Sequence, residues 1–102
     1  MSEKADKIKS VLIVDDEKLF LKSVAEGLRP YEKKKGFRTL TAFNGREALS
    51  MLRSQEIALL ITDLRMPEMD GIGLISHVHN EFPNLPIIVM TAFCSPDIEK
   101  QV

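Results

Sequence analysis

Three short apolar runs punctuate the chain: residues 11–14 (VLIV), 58–61 (ALLI) and 87–90 (IIVM). Each is continuous rather than alternating and rich in Val, Ile or Leu, the pattern of strands covered on both faces in a parallel sheet. A weaker fourth run, residues 37–43 (FRTLTAF), alternates and fits a half-exposed edge strand. Between the runs, apolar positions recur at helical spacing. Phe20, Leu21, Val24, Ala25 and Leu28 make one face over residues 18–29, which Pro30 closes. Ala48, Leu49 and Leu52 make a second over 45–53, with Asn44 as N-cap. Leu74, Ile75, Val78 and Phe82 make a third over 71–82, between Asp70 as cap and Pro83. The stretch YEKKKGF after the first helix reads as a solvated charged connection. The order βαβαβαβ predicts an α/β fold: right-handed crossovers and a doubly wound parallel sheet between helices, with strands in an order such as 2-1-3-4.

Composition narrows the function classes. A chain of 102 residues fits one domain, and 44% hydrophobic residues suffice for a core. The formal net charge of −1 gives no general pull toward nucleic acid or an anionic membrane, so the domain is expected to bind neither directly. No apolar run approaches the roughly 20 residues of a membrane span, and the polar start MSEKADKIK lacks the apolar core of a signal peptide. The single cysteine, Cys94, reads as a small packing residue and suits a reducing cytoplasm. Residues 1–9 are thus expected to form a polar tail, and 10–102 the domain. Near the end, Ser95, Pro96 and Asp97 make a strong helix start, yet the sequence stops at Val102. The expectation is a fold truncated after its fourth strand, whose raw edge favours a homodimer or strand exchange between chains.

In a doubly wound sheet, ligands gather beyond the carboxyl ends of the strands. Asp15, Asp16 and Glu17 close the VLIV run, Asp63 closes the ALLIT run and Thr91 closes the IIVM run. Clustered carboxylates repel one another, and a hard divalent cation relieves that repulsion. Mg2+ suits the oxygen donors: two or three carboxylates with a backbone carbonyl leave a half-open site with room for a phosphoryl oxygen. Such an ion keeps Asp63 ionised, as a carboxylate nucleophile must be. The sequence contains no P-loop, no nucleophile-elbow motif and no zinc-type Cys/His spacing.

The segments VLIVDDE, LLITDLRMPEMDG and IIVMTAF, in this order and at this spacing, resemble the receiver domain of bacterial two-component response regulators. The resemblance runs from about Val11 to the C-terminus. It implies a flavodoxin-like fold with strand order 2-1-3-4, a fifth strand being absent from this sequence. It implies that Asp63 accepts a phosphoryl group from a histidine kinase, with output through an unidentified domain or effector. Asp16 and Asp63 would bind Mg2+ directly, Asp15 mainly through water, and the backbone carbonyl of Arg65 would add a ligand. Thr91 would hydrogen-bond the phosphoryl group and carry the switch, with Ala92 leaving space beside it. Met66, Pro67 and Gly71 would shape the loop after the acceptor. Receivers also place a lysine at the end of a fifth strand, and this sequence has no counterpart; Lys100 falls too early.

Plainer readings stand beside these. Asp15 and Asp16 serve equally as helix-capping acids. Glu17 reads as a solvent-facing first-turn acid. His77 and His79, two apart on a helix, point to different sides and read as surface residues. Lys33, Lys34 and Lys35 read as a solvated basic turn. Two other function classes compete. An aspartate-nucleophile phosphohydrolase wants an acid two residues after the nucleophile, where this chain has Arg65. A phosphorylation-incompetent interaction or dimerisation module follows if the lysine-bearing strand is absent.

Overall fold

The structure is a computed structural model that describes residues 8–63 and 71–90. The expectations for the N-terminal tail before Ile8, and for Arg65, Met66, Pro67, Asp70, Thr91, Ala92, Cys94 and the helix start at Ser95, lie outside the described residues. The described chain runs β1 (Lys9–Val14), α1 (Lys18–Lys35), β2 (Phe37–Ala42), α2 (Gly45–Ser54), β3 (Leu59–Asp63), α3 (Gly71–Glu81) and β4 (Ile87–Met90). The four strands form one parallel sheet in the order β2-β1-β3-β4, as expected. Among the described residues no helix is long and apolar enough to cross a membrane.

The main core lies on one face of this sheet. Leu12, Val14, Ala42 and Leu60 point from the strands to meet Ala48, Leu49 and Leu52 of α2 and Leu74 and Val78 of α3. Each fully buried leucine or valine here contributes about 1.5–3 kcal/mol relative to exposure. Arg53 of α2 also donates to Glu81 of α3 (Nε to Oε1, 2.9 Å), an exposed pair that adds little stability. The alternate residue Ile13 faces the other side with α1, whose Leu21 is buried.

Three expectations need correction. First, α1 does not stop at Pro30 but continues through it to Lys35, so most of YEKKKGF is helix rather than connection. A proline removes the N–H that would serve the Glu26 carbonyl, but both residues are on the exposed side, where water can serve it. The helix ends instead at Gly36, whose φ of 74° is left-handed; its N–H donates to Glu32 O at 2.9 Å. Lys33, Lys34 and Lys35 fill the last turn, where cations complement the helix dipole. The Glu32 carboxylate then accepts from Thr39 N–H at 2.9 Å, tying the helix end to β2. Second, β4 is not covered on both faces: Ile88 is 51% exposed and Val89 42%. It pairs only with β3 among the described strands, so a continuous apolar run overstated its burial. Third, Phe20 is 39% exposed and lies off the apolar stripe of α1.

Gly27 sits inside α1 with nothing within 4 Å of where a Cβ would stand. Gly27→Ala therefore restricts the unfolded chain without a clash and raises stability by about 0.5–1 kcal/mol. Urea denaturation measures this as a higher midpoint at unchanged slope.

Candidate functional site

The site is built from strand register. β1 and β3 are adjacent and parallel, with Val14 opposite Thr62. The next residues, Asp15 just past β1 and Asp63 at the last position of β3, therefore stand side by side at the carboxyl edge of the sheet. Both are 5% exposed, whereas Asp16 is exposed. One carboxylate oxygen from each of Asp15, Asp16 and Asp63 lies within 4.8 Å of the others. Sequence spacing anticipates this cluster, and the structure brings all three together.

The surrounding backbone holds the cluster in place. Asp15 N–H donates to Ala42 O of β2 at 3.1 Å, anchoring the end of β1. Its Oδ1 accepts from Glu17 N–H at 2.9 Å, so Asp15 also shapes the turn into α1. The capping role considered for Asp15 is thus present in part. Glu17 is the N-cap residue but makes no side-chain cap, and its side chain is exposed, as expected. Beside Asp63, the fully buried Thr62 hydroxyl donates to Asp63 O at 3.0 Å. His77 and His79 are exposed on α3.

Sequence reasoning did not find one feature at this edge. Lys18, the first residue of α1, places its ammonium 4.5 Å from the centroid of the Phe43 ring. The run DDEK hints at it only by setting a cation directly after three acids.

Burial, first, and then the charges of Asp63 and Asp16 push the Asp15 carboxyl above the usual carboxylate range, against the Glu17 N–H that pulls it down. A folded-state pKa above the unfolded one means that the folded protein holds this proton more tightly. In metal-free buffer, the Asp15 contribution is therefore most favourable at acid pH. It is lost as pH rises from the ordinary carboxylate range through the raised value. Asp15→Asn keeps an acceptor for Glu17 N–H and removes the charge. Thermal unfolding across that window is expected to show a flatter pH dependence and a higher midpoint at neutral pH for the variant.

Three converging carboxylates, two of them buried and one with a raised pKa, are a donor set that a hard cation would satisfy. The residues therefore fit Mg2+.

The family model for the response regulator receiver domain matches residues 11–102. The transcriptional regulatory protein GlrR of Escherichia coli (strain K12) is 40% identical over 88 residues, which cover 85% of this chain and 19% of that protein. The chain thus spans about a fifth of the length of that relative. Among solved structures, response regulator protein TrrA from Thermotoga maritima in complex with Mg(2+)-BeF superposes with a TM-score of 0.75 at 31% identity, covering 85% of this chain and 72% of that one. A match of TM-score 0.74 at 30% identity, covering 87% of this chain and 73% of that one, comes from the complex of histidine kinase ThkA with TrrA. The strand order, the flavodoxin-like arrangement and these matches agree, and the chain belongs to the receiver-domain family of response regulators.

Proposed function

We propose that this receiver domain accepts a phosphoryl group on Asp63 beside a Mg2+ ion held by Asp15, Asp16 and Asp63, and that its donor is the phosphohistidine of a histidine kinase. The observation that carries the reading is the convergence of the three carboxylates within 4.8 Å at the carboxyl edge of the sheet. The backbone carbonyl of Arg65 and the hydroxyl of Thr91 complete the proposal by resemblance, as a further ligand and as the phosphoryl-sensing switch. The expected boundary of a polar tail over 1–9 and a receiver unit over 10–102 moves by one residue, since β1 opens at Lys9; the receiver unit would then begin at Lys9. The complex of TrrA with ThkA supports the kinase partner, and the complex of TrrA with Mg(2+)-BeF supports the ion. The name of GlrR supports control of transcription as the output of the whole protein.

In the proposed step, an Asp63 carboxylate oxygen forms a bond to phosphorus as the P–N bond to the donor imidazole breaks. The electron pair of that bond stays on the imidazole nitrogen, which takes up a proton from solvent, and an acyl phosphate remains on Asp63. The protein's part is positioning: the end of β3 fixes the nucleophile, and the edge beyond the strands leaves the donor an open approach. A bound Mg2+ would neutralise charge on the phosphoryl oxygens.

The test is incubation with a small phosphodonor and Mg2+, followed by intact-mass measurement. The reading predicts one phosphoryl adduct that fails to form when EDTA replaces Mg2+. Absence of an adduct in both conditions, from protein shown to be folded, contradicts it.

A further inference from the structure

Lys18 stands between opposing local fields. It opens α1, at the positive end of the helix dipole, which disfavours a cation, yet it directly follows Asp15, Asp16 and Glu17, which attract one. One of those acids would be the simplest partner for its ammonium. Among the described residues, however, Lys18 makes no ion pair and lies over the Phe43 ring instead.

The ring is itself held. Phe43 N–H donates to Glu47 Oε1 at 2.8 Å, and Glu47 N–H donates to Asn44 Oδ1 at 2.7 Å. Glu47 thus binds both the N-cap Asn44 and the residue before it, which fixes the backbone that carries the ring. Phe43 follows Ala42, whose carbonyl accepts from Asp15 N–H, so the ring belongs to the same sheet edge as the three carboxylates. It is 41% exposed, which argues against a purely packing role.

We propose that Phe43 is a perch that keeps the Lys18 ammonium off Asp15, Asp16 and Asp63, leaving those carboxylates free for Mg2+. Phe43 and Lys18 are then positioning residues, and the proposal rests on the reading of the trio as a Mg2+ site. Without the ring, the ammonium falls toward the nearest anions and competes with the metal. A cation over an exposed aromatic face shifts such an equilibrium by about two- to fivefold.

The test is a double-substitution cycle read by Mg2+ titration calorimetry, which does not depend on phosphorylation. Phe43→Ala and Phe43→Leu are expected to weaken Mg2+ binding by about two- to fivefold, whereas Phe43→Tyr, which keeps the aromatic face, binds like the unsubstituted chain. Lys18→Gln binds at least as tightly as the unsubstituted chain, and Phe43→Ala with Lys18→Gln restores affinity to that level. An equal loss from Phe43→Ala with or without Lys18 would overturn the proposal, as would unchanged affinity in Phe43→Leu. Either result leaves the metal-site reading standing. Absence of Mg2+ binding by the folded, unsubstituted chain overturns both.

Discussion

Asp63→Asn is expected to abolish the proposed phosphoryl adduct and to leave the protein folded. Asparagine has nearly the volume of aspartate, so the buried end of β3 is not repacked. Its amide, however, is neutral and is no substitute for a carboxylate nucleophile. Stability should hold or rise, because Asp63 is one of the charges that push up the Asp15 carboxyl. Removing it relieves repulsion inside the cluster. Intact mass after incubation with phosphodonor and Mg2+, paired with thermal unfolding in metal-free buffer, reads both effects. The expected outcome is complete loss of the adduct at an unfolding midpoint no lower than that of the unsubstituted chain. An adduct of undiminished yield in this variant would place the acceptor elsewhere.

Leu60→Ala lowers stability by about 2–5 kcal/mol, the range for truncating a buried leucine to alanine. Leu60 is fully buried in β3, between Leu12 of β1 and Ile87 of β4 in the sheet register. Its backbone N–H donates to Pro86 O at 3.1 Å, so the strand has little freedom to collapse into the space left behind. A domain of this size has roughly 5–15 kcal/mol in total, so this one truncation removes a large share. Leu19→Ala is the control: Leu19 is 80% exposed, and its truncation should change stability by no more than about 0.5 kcal/mol. Urea denaturation of the two variants, compared at equal slope, measures the contrast. Losses of similar size in both would contradict the placement of the core.

The strands and the acids that end them were legible because both depend on local signals, whereas the strand order rested on the family resemblance. Val14 and Asp63 end apolar runs, and in a parallel sheet the ends of neighbouring runs must meet. Asn44 was legible as a cap because its chemistry is local to the helix start. Pro30 misled because a proline is costly in a helix but not prohibitive when the orphaned carbonyl is hydrated and later residues carry the helix to Gly36. Ile88 and Val89 misled because an apolar run reports the residues of a strand but not what packs on its faces. The Lys18–Phe43 contact joins residues 25 positions apart, and no periodicity encodes it. It depends on β2 standing beside β1 and on the cap that fixes Phe43.

The most direct measurement is to locate the phosphoryl group. After phosphorylation with Mg2+ present, borohydride reduction converts an aspartyl phosphate to homoserine, and peptide mass mapping then reads the modified position. The account predicts a single site, Asp63. Modification at Asp15, Asp16 or any other residue in place of Asp63 would contradict it.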